Sequence, residues 1–190
     1  MSVSAHKIGG PKGIGFLYVR SGVPLGPFVH GGLQERGRRA GTENVPAAAG
    51  FAAAALETME RGAGELARET ELRNLLWSRL QETVPGVVLN GAAPDSGRRI
   101  GSNLNVSIPG MEAETMLILL DMEGICAAGG SACTTGALEP SHVLRAIGAD
   151  RPRLKGALRF TLGPETTREE IMEAAEAVRR IVLKNSARSG

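Results

Sequence analysis

Residues 157–162 read Ala157-Leu158-Arg159-Phe160-Thr161-Leu162. In an extended chain, successive side chains point to opposite faces. Leu158, Phe160 and Leu162 then share one face, and Ala157, Arg159 and Thr161 share the other. That period of two predicts a strand with one apolar face. Downstream, Thr166 or Thr167 is placed to cap a helix with Glu169 and Glu170 in its first turn and Ile171, Ala174, Val178, Ile181 and Val182 as its apolar stripe. Residues 185–190 are expected to fray.

Upstream the same exchange of periods repeats. Leu104, Val106 and Ile108 alternate as a strand, 112–121 reads as a short helix, and 124–128 as a strand or extended segment. A Gly/Ser/Thr loop over 129–139 leads to a helix over 140–147 with Pro140 near its start. A helix over 64–82 carries Leu72, Leu75, Leu76 and Leu80 on one stripe, and a short strand at 87–89 and a surface loop over 91–102 follow it. Helices alternating with strands through 60–184 predict a layered α/β or α+β domain. Earlier in the chain, Ile14–Val19 reads as a buried strand with no partner in its neighbourhood. The Gly-, Pro- and Arg-rich stretch 22–43 reads as a long loop, of a length that is usually functional or disordered. An Ala-rich helix over 43–59 has Asn44 as N-cap and Pro46 in its first turn.

Composition narrows the function classes. The 190 residues are 42% hydrophobic and 22% charged, an ordinary globular balance, but only 3% aromatic, so the core must rest on Leu, Ile, Val and Ala. Twenty-two basic residues against 20 acidic ones give a net charge of +2, too even to argue for nucleic acid or membrane. The dense basic run Arg36-Gly37-Arg38-Arg39 sits beside Glu35 and Glu43, which argues against a nucleic-acid partner. Two cysteines make no disulfide framework. The first residues lack the pattern of a secretory signal, and Val45–Leu56 is too short to span a bilayer. A cytoplasmic location without a membrane partner is the expectation.

Several residues carry possible chemistry. Lys7, in Ser4-Ala5-His6-Lys7, reads alone as a solvated lysine. A lysine becomes an amine nucleophile when burial or neighbouring cations lower its pKa, and His6 and Lys12 are the candidate neighbours. Gly9-Gly10-Pro11-Lys12-Gly13 lacks the spacing of a nucleotide-binding phosphate loop. Cys133 lies in Gly129-Gly130-Ser131-Ala132-Cys133-Thr134-Thr135-Gly136, a polar loop that would expose its thiol as a reactive cysteine requires. Cys126, between Ile125 and two alanines, suits a small buried residue better. Cys126, Cys133 and His142 lack the paired spacing of a zinc site, so no resident metal is expected. Arg159 has small neighbours on its face, which leaves room for a carboxylate over its planar fork, although an exposed strand arginine reads the same way.

Together these segments resemble the cysteine desulfurases of the aminotransferase class V family, in the branch serving nitrogenase and general iron–sulfur assembly. The resemblance rests on Ser4–Lys7 with the Gly-Pro-Lys-Gly-Ile-Gly-Phe-Leu-Tyr-Val-Arg segment after it, and on His30–Gly37 with Arg39–Asn44. It rests also on Gly130–Thr134 with Leu138–Ala146, and on Leu158–Gly163. The blocks fall in the family's order and cover nearly the whole chain.

The resemblance implies the C-terminal part of the aspartate-aminotransferase-like architecture (fold type I) and pyridoxal 5'-phosphate (PLP) as cofactor. Residues 1–58 would be a remnant of the large cofactor-binding domain, and 59–190 the small C-terminal α/β domain. Lys7 would hold the cofactor, Ser4 and His6 would help bind it, and Thr42 would reach the phosphate of the other subunit's cofactor in a homodimer. Arg159 would clamp the carboxylate of L-cysteine, and Cys133 would accept its sulfur as a persulfide, leaving L-alanine. The partners implied are an iron–sulfur scaffold, whose nascent cluster the persulfide would meet, or another sulfur acceptor. The family's stacking histidine, its aspartate for the pyridine nitrogen and its first phosphate loop lie upstream of its lysine, whereas six residues precede Lys7 here. The chain alone is therefore expected to bind the cofactor poorly and turn over slowly. A non-catalytic remnant that binds a sulfur acceptor or scaffold, and a selenocysteine lyase, are the alternatives.

Overall fold

A computed structural model describes residues 1–129 and 141–189. The chain forms two compact units, Met1–Gly62 and Ala63–Gly190.

In the first unit, strands β1 (Ser2–Ser4) and β2 (Gly15–Leu17) pair antiparallel, with Val3 opposite Phe16. A 3-10 turn, Ala5–Ile8, follows β1 directly and ends at Gly9, whose φ of 81° puts it in the left-handed region that glycine adopts without strain. The strand expected around Ile14–Val19 thus has a close partner, and it is exposed rather than buried: Phe16, Leu17 and Tyr18 are each about half accessible. Neither point was open to pattern reading. Ser2–Ser4 is short and polar, and a two-stranded ribbon covers little. Phe16 instead stacks on Phe51, with ring centroids 5.6 Å apart. Residues 22–43 are irregular except for α1 (Gln34–Gly37), one turn wound left-handed at Glu35 and Arg36.

The helix α2 (Val45–Thr83) begins where Asn44 Oδ1 accepts from the Ala47 N–H at 3.2 Å. It breaks at Gly62, at φ 50° and ψ −141°. Residues 45–61 belong to the first unit and 63–83 to the second.

The second unit is built on an antiparallel sheet of order β3 (Val88–Leu89), β4 (Asn103–Ser107) and β5 (Ala157–Thr161). Leu104 faces Phe160 and Val106 faces Leu158 across β4 and β5. This is the apolar face that the alternation predicts, and all four are buried. Covering it are Leu72, Leu76 and Leu80 from 63–83, Met116 and Leu120 of α3 (Ala113–Met122), and Ile171, Val178 and Ile181 of α6 (Arg168–Ser189). Each such side chain contributes about 1.5–3 kcal/mol by leaving water.

Several local expectations change. Segment 124–128 contributes one bridge, Ala128 to Arg159, rather than a strand. Its Ile125 and Ala127 pack on the core, which turns the intervening Cys126 outward, so that thiol is exposed and not buried. The next helix, α4 (His142–Ala146), is capped by Ser141, whose Oγ accepts from the Leu144 N–H. A further turn, α5 (Arg151–Lys155), starts at Asp150, which caps Arg153 N–H at 3.1 Å ahead of Pro152. It is too short to show periodicity. Finally, α6 continues to Ser189, past residue 185, where the sequence predicts fraying. Thr167 and Glu170 form a reciprocal capping box at its start, with bonds of 3.2 and 2.8 Å.

Candidate functional site

The sheet's other face is polar. Asn105 and Arg159 lie directly opposite one another, and the Asn90 N–H donates to the Asn105 carbonyl, so Asn90, Asn105 and Arg159 form a row across three chain segments. Arg159 also exchanges both backbone bonds with Ala128, at 3.0 and 2.6 Å, so its main chain is held on two sides. Its Nε is buried and has no hydrogen-bond partner among the described residues. A buried N–H normally finds an acceptor, and one that does not costs about 1–3 kcal/mol. Arg159 opens onto a concavity of about 520 Å³ within this unit, lined also by Asn103, Asn105, Arg98, Arg99 and Ser141. Among the described residues no acidic side chain lines it. An acceptor carrying negative charge is what the lining lacks.

Two arginines shape the loop on one rim. Arg73 is 1% accessible and donates to the carbonyls of Pro94 and Ile100, both at 3.0 Å, and to Asn74 Oδ1. Arg99 donates to the carbonyls of Asn90 and Ala92. Neither has a carboxylate partner among the described residues. Burial lowers the pKa of Arg73 and Arg99, and for Arg99 the neighbouring charge of Arg73 adds to it. The loop is therefore wound around buried cations by its own carbonyls.

Asn90, 2% accessible, ties this loop to α5 and the sheet. Its Oδ1 accepts from Arg153 Nε and Nη2 at 3.2 and 2.7 Å, and its Nδ2 donates to Asn105 Oδ1 and Ser107 Oγ, both at 2.7 Å. The Ser107 hydroxyl donates onward to the Arg153 carbonyl at 2.7 Å. Sequence reading overlooked Asn90, Asn105, Arg73 and Arg99. For Asn105 a signal existed, since it alternates with Leu104 and Val106 on a strand. Only the strand register sets it beside Arg159.

The other expected residues fall in the first unit. Ser4 ends β1, while His6 and Lys7 lie in the turn that follows, anchored by the fully buried Ala5, whose N–H donates to Ile14 at 3.0 Å and whose carbonyl accepts from Gly10 at 2.9 Å. The side chains of Ser4, His6, Lys7 and Thr42 are exposed and hydrogen-bond to no other described residue. Cations dominate this stretch: Lys7, Lys12, Arg20, Arg36, Arg38 and Arg39 stand against Glu35 alone in residues 1–42. Cys133 lies outside the described residues. Among the described residues there is no metal-binding cluster, and no helix long and apolar enough to cross a membrane.

The chain resembles known proteins in sequence and in fold. A cysteine desulfurase of Nostoc sp. is 44% identical over 189 residues, covering 100% of this chain and 46% of the relative. The cysteine desulfurase IscS of Clostridium botulinum is 42% identical over 182 residues, covering 96% and 46%. Among solved structures, a NifS-like protein superposes with a TM-score of 0.83 at 35% identity, covering 96% of this chain and 46% of its own. The NifS-like protein from Rickettsia africae gives 0.81 at 29% identity, covering 95% and 46%. The chain thus spans about half the length of the curated relatives it matches. The family model for aminotransferase class-V matches residues 1–173, and the chain belongs to that family.

Proposed function

We propose that this chain carries part of a cysteine desulfurase site, which takes sulfur from L-cysteine, leaves L-alanine, and holds the sulfur as a persulfide on Cys133 for a sulfur acceptor such as an iron–sulfur scaffold. The observation that carries the reading is Arg159, which lines a hollow with no acid among its described lining residues and whose buried Nε has no hydrogen-bond partner among the described residues. A planar guanidinium with an open edge suits a carboxylate in a bidentate grip.

The residues present fit PLP at two of its ends. The exposed Lys7 amine suits its aldehyde, the Ser4 hydroxyl, with His6 two residues on, suits its phosphate, and the Thr42 hydroxyl suits the phosphate of the other subunit's cofactor. No aspartate occurs in residues 1–62 to face the ring nitrogen. When bound, the cofactor supplies an electron sink for the carbon skeleton of the substrate.

The chain's own residues then have separate tasks. Arg159 holds and orients the substrate carboxylate. The Lys7 amine moves the proton at the substrate α-carbon. The Cys133 thiolate attacks the substrate sulfur: an S–S bond forms, the Cβ–S bond breaks, and the carbon skeleton takes up a proton and leaves as alanine. Ala128 is bridged to Arg159, and Cys133 follows five residues on in the sequence. Ser141, on the far side of the same segment, lines the Arg159 hollow. Both support a shared site for the thiol and the carboxylate.

The test is a single-turnover reaction of the chain with PLP and L-cysteine. Alanine and persulfide should form in equal amounts above the background of free cofactor. Mass analysis should place the added sulfur on the Cys133 peptide, and Cys133→Ser should abolish it. Alanine at background level, or sulfur on Cys126 instead, sinks the proposal.

A further inference from the structure

We infer that Asn105 is a second carboxylate-recognition residue, its amide Nδ2 pointing into the hollow beside Arg159 to donate to the same anionic group. This rests on the reading of Arg159 given above and adds a residue that the motifs did not single out.

Amide oxygen and nitrogen are alike in shape, so the orientation of an asparagine must come from its partners. Here the partners settle it in sequence. Arg153 can only donate, so the atom of Asn90 that meets its Nε and Nη2 is Oδ1. The other end of Asn90 is then Nδ2, a donor, so the atom of Asn105 that meets it is Oδ1. Asn105 Nδ2 is left over. Asn105 lines the hollow, and among the described residues its Nδ2 has no acceptor. Directly opposed residues in an antiparallel pair have Cβ atoms about 4.5–5.5 Å apart. Asn105 and Arg159 are such a pair. The Asn105 Nδ2 and the Arg159 Nε are therefore donors carried by directly opposed residues on one polar face, neither with an acceptor among the described residues. A carboxylate has four lone-pair sites and can take both. Asn90 and Arg153 act through Asn105 as positioning residues: they fix which way its amide faces.

The test uses the whole chain, isotope-labelled, with L-cysteine as probe and cysteamine, which lacks the carboxylate, as control. L-cysteine should shift the NMR signals of both the Arg159 Nε–H and the Asn105 side-chain amide, and cysteamine should shift neither. Asn105→Asp keeps the oxygen that Asn90 donates to and replaces the outward donor by a carboxylate oxygen. Asn105→Ala removes the amide without adding charge. Both should raise the dissociation constant for L-cysteine about tenfold or more, the range for a hydrogen bond to a charged group, with the Asn90 side-chain amide still protected from exchange in Asn105→Asp. A response of Arg159 without one from Asn105, or wild-type affinity in both variants, overturns the inference and leaves the Arg159 reading standing. No response from Arg159 overturns that reading and the inference with it.

Discussion

Replacing Arg73 by methionine isolates the question of what a buried arginine without a carboxylate is worth. Methionine keeps most of the stem that packs in the unit and removes the guanidinium. What is lost directly is the bonds to the adjacent Asn74 Oδ1 and, in the loop, two charged hydrogen bonds to the carbonyls of Pro94 and Ile100, which set the magnitude. At about 1.5–3 kcal/mol for a bond to a charged group, the gross loss is about 3–6 kcal/mol. Two effects oppose it. Ile100 is 69% accessible, so water can reach part of that peptide. Burial also disfavours the Arg73 charge, in the same sense as its lowered pKa, and that cost disappears with the guanidinium. We expect a net loss of about 2 kcal/mol, seen as a fall in melting temperature of about 5–10 °C. Trp77, packed at the edge of this unit's core, supplies the fluorescence signal for urea unfolding. Hydrogen exchange should show the loss of protection centred on residues 90–101. An unchanged or higher urea midpoint refutes the reasoning: it would mean that burying the cation costs more than the loop carbonyls return.

The remaining predictions concern single groups. Burial holds the Glu69 carboxyl above its ordinary value, with Glu65 adding to the effect and Arg68 opposing it. The folded state then binds that proton more tightly than the unfolded chain, so ionisation costs stability as pH rises above the ordinary 4.5. Glu69→Gln should therefore raise the urea midpoint at pH 7 and lose that gain as pH falls below about 4.5; a gain independent of pH would contradict this. Thr167→Ala removes one half of the capping box of α6 and should cost about 1 kcal/mol by urea unfolding, with no cost if Glu170 alone holds the helix start. Arg159→Met removes a buried, unpartnered N–H and should stabilise the second unit by about 1 kcal/mol while abolishing the L-cysteine response; a lower midpoint would show that the guanidinium is satisfied after all.

How far the sequence was legible follows from what kind of information each feature needs. Leu158, Phe160 and Leu162 announced their common face because a strand's period is local. The stripe of α6 did so for the same reason. The capping roles of Asn44 and Thr167 were readable because a cap and its partner lie three residues apart. What failed was non-local. The pairing of Ser2–Ser4 with Gly15–Leu17 joins a polar stretch to an apolar one, and only the apolar one carries a strand pattern. Arg73 looked like any helix arginine, because its acceptors lie 21 and 27 residues away. Asn90 sits 63 residues from Arg153. In the candidate site, Arg159 was legible through the small residues flanking it on the strand, but its neighbour Asn105 depended on register across β4 and β5.

The break at Gly62 bears on how this molecule unfolds. A helix is cooperative because each residue added closes a hydrogen bond on a turn already formed. One residue at φ 50° and ψ −141° interrupts that propagation. Residues 45–61 and 63–83 share a helix by contour, yet melting one need not pull the other with it. The chain then has no single unfolding free energy, since the two-state description holds for each cooperative segment and not for their sum. The sequence supplies one natural reporter for each: its one tyrosine, Tyr18, precedes the break, and its one tryptophan, Trp77, follows it. Recorded together, the two signals trace separate transitions, and a stability change is meaningful only when assigned to the one in which it occurs.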